Sequence, residues 1–249
     1  MQQDPPLNVR RIEEASLNAW PALRQTLLDG WLLRFSRGFT KRANCIVPLY
    51  PELEAMEGKV RHCENLYARE RLQTIFRLAS ISECAALDGY LAGRGYVQVD
   101  PTEVLTASLS PLSLPREQRI RHLDSERWLD AYAQLTRIPA EAQMLHNAIV
   151  KGIQTECAFA VLDTGAGPLA CGLAVLEQQL VGLFDIFTHP EHRGLGHAET
   201  LVGELLYWAR SRGAARAYLQ MDASNHAARG LYAKYGFSTA YEYWYRVAR

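Results

Sequence analysis

The residues best suited to chemistry form a short glycine-rich segment, Arg193-Gly194-Leu195-Gly196-His197-Ala198. Its two glycines let the backbone turn sharply and let a ligand approach the amide hydrogens closely. A helix that begins after this segment leaves its first amides unpaired and carries partial positive charge at that end. We therefore expect the segment to bind a phosphate or another anion.

Two common phosphate-binding patterns do not fit this segment. A P-loop needs Gly-Lys followed by Ser or Thr at the start of the helix, and that combination is absent here. A dinucleotide-binding fingerprint needs Gly or Ala at position 199, where Glu199 stands. The pattern that remains is Arg-x-x-Gly-x-Ala, formed by Arg193, Gly196 and Ala198. Taken alone, it could also be no more than a tight turn between a strand and a helix.

A strand and a helix must hold this segment in place. The apolar residues 180–188 predict a strand that ends at His189-Pro190, because proline cannot donate to a sheet. From about residue 196 to 212, apolar side chains recur at helical spacing and predict one buried helix face. Gly213 is placed to end that helix in the left-handed conformation.

A second block of residues follows after one more predicted strand. It runs from Asn225 to Phe237 and reads Asn-His-Ala-Ala-Arg-Gly-Leu-Tyr-Ala-Lys-Tyr-Gly-Phe. Asn225 is a good helix N-cap and Gly236 a good helix terminator. In this order and at this separation, the two blocks resemble motifs A and B of the GNAT N-acetyltransferase superfamily.

The resemblance implies a fold, a reaction and a cosubstrate. The fold is α/β (α+β), with a mixed, mostly antiparallel sheet flanked by helices. The reaction is direct attack of a primary amine on acetyl-coenzyme A. In the family, backbone groups of the central strand pair with the pantetheine arm, and here these are Ile186, Phe187 and Thr188. The pyrophosphate would be held by Arg193, Gly194, Leu195, Gly196, His197 and Ala198.

Three further side chains are candidates for the chemistry. Tyr232 matches the tyrosine with which family members often protonate the coenzyme A thiolate, although it could simply pack on the helix. Asp185 stands in an otherwise apolar strand and could orient the amine or accept its proton, or be paired to an arginine for structural reasons. Asn225 could hydrogen-bond the cosubstrate or a water, although capping the helix is reason enough for it.

The first half of the chain echoes the second. The order helix, strand, helix, Gly-aromatic, strand occurs at 53–109 and again at 196–246. We therefore predict a degenerate GNAT-like unit at 1–112 and a catalytic unit at 117–249, divided by the Pro- and Ser-rich residues 110–115. The first unit has no Arg-x-x-Gly-x-Ala loop and should not bind the cosubstrate in the family's way. It could be structural or could form one wall of the substrate pocket.

Composition limits the other possibilities. The chain has 27 basic and 27 acidic residues and a formal net charge of zero, which argues against nucleic acid as a partner. No apolar run has membrane-spanning length, and five scattered cysteines favour reduced thiols in the cytoplasm. His189, His192 and His197 could suggest a metal, but we expect none and place them near phosphates instead. A monomer or homodimer is expected.

The acceptor substrate is the part of the expected reaction that the sequence specifies least. We expect a small, amino-acid-like amine, with a protein N-terminus as one alternative and a non-catalytic acyl-coenzyme A sensor as another. The basic residues Arg34, Arg37, Lys41 and Arg42 are either a solvated hairpin face or a site for an acceptor carboxylate. Tyr241, Tyr243 and Tyr245 share one face of the last predicted strand, where they pair within a sheet or line an acceptor pocket.

Overall fold

A computed structural model describes residues 8–51, 53–80, 84–110, 112–114, 116, 119–165 and 167–249. The chain folds as two compact units, of which the first contains the chain up to Glu103 together with Ala240–Arg249. The second unit is Val104–Thr239. This division differs from the predicted 1–112 and 117–249, because most of the last strand belongs to the first unit. Positions 111, 115 and 117 of the predicted boundary lie outside the described residues.

The first unit alternates short strands with three helices. In chain order its elements are α1 (Val9–Ala19), β1 (Arg24–Leu28), β2 (Trp31–Phe35), β3 (Ile46–Pro48), α2 (Met56–Arg69), β4 (Ile75–Ala79), α3 (Ala85–Gly93) and β5 (Val97–Ser108). The chain passes into the second unit within β5, after Glu103. With β11 (Ser238–Val247), the strand order in this unit is β1-β2-β3-β4-β11-β5.

One helix predicted in this unit is wrong. The residue pattern predicts a helix over 13–27, in which Pro21 begins a new turn or causes a kink. Instead, α1 ends at Ala19 and residues 24–28 form β1, which pairs antiparallel with β2. The pair Leu28↔Trp31 closes a two-residue hairpin at Asp29 and Gly30, both at positive φ (39° and 82°). Asp-Gly at such a turn is the strongest local hairpin signal, and it outweighs the helical pattern before it.

The second unit carries the candidate motifs. Its further elements are β6 (Ile120–Leu123), α4 (Ser125–Thr136), α5 (Ala140–Lys151), β7 (Glu156–Asp163), β8 (Pro168–Glu177), β9 (Leu180–Thr188), α6 (His197–Ser211), β10 (Arg216–Asp222) and α7 (His226–Ala233). The strand order is β5-β10-β9-β8-β7-β6. Strands β6 to β9 pair antiparallel, whereas β9 and β10 are parallel. The predicted mixed, mostly antiparallel sheet flanked by helices is confirmed.

The core of the second unit lies between α6 and the sheet. The predicted apolar face of α6 is fully buried there, at Leu201, Val202, Leu205, Leu206 and Ala209. Burying side chains of this size stabilises the unit by about 1.5–3 kcal/mol for each Leu or Val. The helix is thereby fixed on the sheet, and its first turn is held at the end of β9. None of the helices within the described ranges is long and apolar enough to cross a membrane.

Candidate active site

In the second unit, the neighbouring strands β9 and β10 stop pairing about halfway along their length. The parallel pairing of β9 with β10 ends at Leu183↔Leu219, although both strands continue for three or more residues. On its other side, β9 stays paired with β8 as far as Ala170↔Thr188. Among the residues that the structure describes, the backbone groups of Ile186–Thr188 on the β10 side therefore have no partner strand. An extended ligand arm can form hydrogen bonds to them in place of a strand.

A β-bulge lies directly beside this opening. Between the pairs Leu173↔Phe184 and Cys171↔Phe187, two residues of β9, Asp185 and Ile186, oppose the single residue Gly172 of β8. The backbone of Asp185 is at φ +49°, a conformation that few residues other than glycine, asparagine and aspartate adopt readily. The bulge changes the direction in which the Asp185 side chain leaves the strand. Its only signal in the sequence is a glycine within an apolar strand.

The predicted anion-binding loop has the expected backbone. Gly194 and Gly196 are at φ +78° and +80°, so both use the conformational freedom of glycine. Gly196 is the N-cap of α6 and supplies no side-chain acceptor to the first turn. The amides of His197 and Ala198 are thus placed for an external anion. Arg193 joins the loop to β9, since its Nε donates to the Thr188 carbonyl at 3.3 Å.

Three histidines surround this loop. The ring centroids of His189 and His192 are 5.5 Å apart, and those of His192 and His197 are 6.3 Å apart. Over the described part of the chain, no group of three or more His, Cys, Asp or Glu residues is arranged to hold a metal ion. Buried polar atoms of Thr188 (Oγ1) and His189 (Nδ1) have no hydrogen-bond partner among the described residues. The end of β9 is therefore polar and suits a polar ligand.

Helix α7 positions the second motif. The Asn225 side chain accepts a hydrogen bond from the Ala228 amide at 3.1 Å, which confirms its capping role and leaves its predicted cosubstrate contact a prediction. Tyr232 is 7% exposed and belongs to the same apolar cluster as Leu219. Its ring packs edge-on against Phe237, with centroids 5.7 Å apart. Burial raises the pKa of Tyr232 to about 12, so the phenol keeps its proton at neutral pH.

The two motif helices are tied together at the loop. The Tyr235 hydroxyl, just after α7, donates to the Glu199 carbonyl in the first turn of α6 at 2.7 Å. Lys234 forms an ion pair with the Glu199 carboxylate. Gly203 leaves room for this contact, since a Cβ there would lie 2.8 Å from the Tyr235 hydroxyl oxygen. The anion-binding loop and Tyr232 are consequently held by one rigid connection.

Asp185 is paired with a histidine that the sequence analysis missed. His146 Nε2 lies 2.8 Å from Asp185 Oδ2, and their side chains are 2% and 15% exposed. The His146 ring stacks on Tyr132 of α4, with centroids 4.2 Å apart and planes 5° apart. The partner of Asp185 is thus His146 and not the arginine that was one of its two predicted interpretations, and its role in the chemistry stays a prediction. A lone histidine within a helix gives no signal for a contact so distant in sequence.

The corresponding loop of the first unit is closed by the protein itself. Just before α2, the amides of Leu53 and Glu54 donate to the carboxylate of Asp29 at 2.9–3.1 Å. Lys59 of α2 lies 3.2 Å from the same carboxylate. The hydrogen bond from the Glu54 amide is the main reason that the pKa of Asp29 is lowered. A protein carboxylate thus occupies the amides that an external phosphate would need.

The basic cluster of the first unit is not one surface. Arg34 is fully buried, and its guanidinium donates to backbone carbonyls of Leu17, Trp20 and Arg42. It is therefore neither a solvated residue nor a site for an acceptor carboxylate, and both interpretations are wrong for Arg34. Lys41 pairs with Asp100 at 2.8 Å.

Tyr241, Tyr243 and Tyr245 do share one buried face of β11. The rings of Tyr243 and Tyr245 pack edge-on at 5.6 Å, as expected for aromatic pairing within a sheet. Arg77 lies 4.0 Å from the centre of the Tyr243 ring and forms a buried ion pair with Glu13 at 2.7 Å. These contacts give the three tyrosines a structural role within the first unit.

The chain is similar in sequence to a known family and to two known proteins. A family described as "Probable histone acetyltransferase Rv0428c C-terminal" matches residues 7–246. The chain is 29% identical over 249 residues to the uncharacterized N-acetyltransferase YobR of Bacillus subtilis, covering 97% of this chain and 99% of that protein. It is 30% identical over 217 residues to the probable histone acetyltransferase Rv0428c of Mycobacterium tuberculosis, covering 86% of this chain and 66% of that protein.

Solved structures with the same fold are also known. A GCN5-related N-acetyltransferase from Kribbella flavida matches with a TM-score of 0.70 and 16% identity, covering 96% of this chain and 94% of that chain. A tandem GNAT protein from the clavulanic acid biosynthesis pathway matches with a TM-score of 0.65 and 12% identity, covering 99% and 89%. At these identities the likeness concerns the fold, and it extends over both units.

Proposed function

We propose that this chain, which belongs to the family described as probable histone acetyltransferase Rv0428c C-terminal and to the GNAT superfamily of acetyltransferases, acetylates a primary amine on a small, amino-acid-like molecule. One observation carries the proposal: in the described chain the pairing of β9 with β10 ends at Leu183, and β9 then runs past the partly exposed Asp185 into the glycine-rich loop that begins α6. The buried, protonated phenol of Tyr232 lies on α7, the helix that follows β10. These are the groups that acetyl transfer from a thioester to an amine requires.

The chain's own residues fit acetyl-coenzyme A, the acetyl donor that the family implies. Its pyrophosphate would be held by the backbone of Gly194–Ala198 with Arg193 beside it, and its pantetheine arm by the backbone of Ile186–Thr188. When bound, it supplies an acetyl thioester whose carbonyl carbon is open to attack by an amine. Backbone amides of β9 at the opening would polarise that carbonyl.

Tyr232 is suited to protonate the leaving thiolate of coenzyme A. Because its pKa is raised to about 12 by burial, the phenol stays protonated across the pH range in which enzymes work. It can therefore donate a hydrogen bond to a sulfur atom on which negative charge develops, and deliver its proton there. Its hydroxyl makes no hydrogen bond with any described residue, which leaves it available for that role.

Asp185 is suited to attract the acceptor amine and accept its proton. Its Oδ2 is held by His146, while no described residue donates to Oδ1, and the side chain remains 15% exposed. An acceptor enters most readily as an ammonium ion, which must lose a proton before it can attack. A carboxylate oxygen at the opening attracts that ammonium and can accept the proton directly or through water.

The net charge of the chain bears on the chemistry of the acceptor. A zero net charge gives no general attraction to polyanions or to strongly basic protein tails, which favours a small amine. A protein amine is the second candidate, and the name of the mycobacterial relative favours it. A rival of another class is a sensor that binds acyl-coenzyme A without turnover. Such a sensor would need neither the phenol of Tyr232 nor the carboxylate of Asp185.

The test is amine-dependent release of coenzyme A thiol from acetyl-coenzyme A. Free amino acids, the matching decarboxylated amines, peptides with free N-termini and lysine peptides would be compared at equal concentration. The proposal expects turnover that is fastest with a member of the first two groups. Preferred turnover of peptides would move the acceptor to proteins, and tight binding without turnover of any amine would favour the sensor.

A further inference from the structure

The pairing of His146 with Asp185 is unusual in its setting. Asp185 lies in the bulge of β9 at φ +49°, and His146 lies on the buried face of α5, almost fully shielded from solvent. Their 2.8 Å contact involves Oδ2 alone. A buried polar contact of this kind holds both side chains in one rotamer, since breaking it would leave buried polar groups unsatisfied.

The surroundings keep the His146 ring in place. Its flat face stacks on Tyr132 at 4.2 Å, and Trp128 of the same helix lies 6.3 Å away, also roughly parallel. The Trp128 indole in turn donates to the Ala160 carbonyl of β7 at 3.2 Å. The ring orientation is thus set by two helices and a strand before any substrate binds. Such preorganisation is what a group that orients a catalytic side chain needs.

We propose that His146 is a positioning residue for acetyl transfer, which donates its Nε2 hydrogen to Asp185 Oδ2 so that Oδ1 faces the acceptor amine. This role rests on the proposed function. The hydrogen bond holds the Asp185 carboxyl group in one orientation, which fixes where an acceptor amine meets it. It also leaves one defined oxygen to receive the proton, which passes from the amine nitrogen to Oδ1 as the carbon–nitrogen bond forms.

Other titratable groups around Asp185 do not replace His146 in this role. Within the described chain, the groups that face it are His146 from α5, Tyr132 from α4 and Cys171 from β8, whose sulfur lies 4.0 Å from the Asp185 carbonyl oxygen. Burial raises the pKa of Tyr132 and of Cys171 well above their usual values, so both stay neutral. His146 is consequently the side chain among them that contacts the Asp185 carboxyl group and can set its orientation.

The test compares His146→Ala, His146→Gln and Tyr132→Phe in the full chain. With any amine that the wild type acetylates, we expect His146→Ala to lower kcat about 10–100-fold, because the positioned base is lost. The KM for acetyl-coenzyme A should stay within about twofold, since a base on the amine side contributes to the chemical step rather than to cosubstrate binding. His146→Gln, which keeps a donor, should recover much of the loss in kcat, and Tyr132→Phe, which keeps the stacked ring, should keep the wild-type kcat.

A readout that does not depend on activity accompanies the kinetics. Carbon-13 NMR of labelled aspartate should show a changed chemical shift for the Asp185 carboxyl carbon in His146→Ala and a shift close to that of the wild type in His146→Gln. If kcat falls equally in both His146 variants while that carboxyl shift stays unchanged, His146 has only a packing role and the inference is overturned. Failure of the wild type to acetylate any amine would overturn the proposed function instead, and the carboxyl shift would still decide whether His146 holds the Asp185 carboxylate.

Discussion

A Cβ atom added to Gly172 would lie 2.6 Å from Cδ1 of Ile186 and 3.0 Å from Cδ2 of Leu201. Gly172 is the single residue of β8 that faces the two bulged residues of β9. The bulge, the backbone of Ile186 and the packing of α6 therefore meet at one glycine. Any side chain here must displace the side chains of Ile186 and Leu201, which pack between β9 and the helix that follows the glycine-rich loop.

Gly172→Ala should weaken acetyl-coenzyme A binding about tenfold or more, because overpacking of about 1–3 kcal/mol would shift Ile186 away from its place in β9. Isothermal titration with the acetyl donor measures this. The matched control is Gly89→Ala in α3, where an added Cβ meets nothing within 4 Å. It should raise stability by about 0.5–1 kcal/mol and leave binding unchanged. Equal affinities for the two variants would contradict the placement of Ile186 in the site.

Gly196→Asp should weaken binding of the acetyl donor by more than about tenfold, through a strained backbone and a negative charge at the loop. Gly213→Asp is the control at the opposite end of α6. Both glycines are at positive φ, 80° and 92°, with nothing within 4 Å of an added Cβ, so the backbone strain is matched. If both variants lose affinity equally, the effect is on folding and the loop is not the anion site.

Tyr232→Phe should lower kcat about 100-fold when chemistry is rate-limiting, with little change in the KM for the acetyl donor. The change removes only the hydroxyl and keeps the ring contact with Phe237. Because the pKa is about 12, a decline of wild-type activity between pH 8 and 10 should not arise from this phenol and should persist in the variant. Tyr207→Phe on α6 is the control. An unchanged kcat would leave Tyr232 with a packing role alone.

Asp29→Asn should lower the free energy of unfolding near neutral pH. It should also make that free energy depend less on pH in the acidic range. The pKa of Asp29 is lowered from 3.8 in the folded chain, so the unfolded chain takes up the proton first as pH falls. The stability that the carboxylate contributes is present above pH ~4 and is lost below it. Urea unfolding at pH 3 to 7 measures the difference, with Asp130→Asn, exposed on α4, as control. If the free energy of unfolding depends on pH in the same way in wild type and Asp29→Asn, the charge of Asp29 does not stabilise the folded chain through the Leu53 and Glu54 amides.

The motifs that local residue types define were predictable. Gly196 before α6 and Asn225 before α7 occupy the conformations and contacts that their side chains dictate over a few residues. The opening in the sheet and the bulge at Asp185 depend on how β9 pairs with two other strands, and no local pattern encodes that pairing. The contact with His146 joins residues 39 positions apart, so spacing could not reveal it.

The place of the last strand was also hidden from the sequence. The last strand follows the second motif in the chain and reads as part of the same unit. Its residues 240–249 instead belong to the first unit, where β11 pairs antiparallel with β4, as in Tyr243↔Ala79. Alternation of aromatic residues predicts a strand but not the sheet that it joins, since the same pattern suits either sheet. The assignment of Arg34 failed because sequence shows a charge but not its burial.

The most direct test of the central claim is a paired measurement of thiol release and acetylated product for one amine. Purified wild-type chain, acetyl-coenzyme A and the best amine of the panel would be followed by thiol titration and by mass spectrometry of the amine. The account predicts one N-acetylated amine for each thiol released, at a rate that Tyr232→Phe lowers about 100-fold. Saturable binding of acetyl-coenzyme A with no acetylated product from any amine in the panel would contradict it.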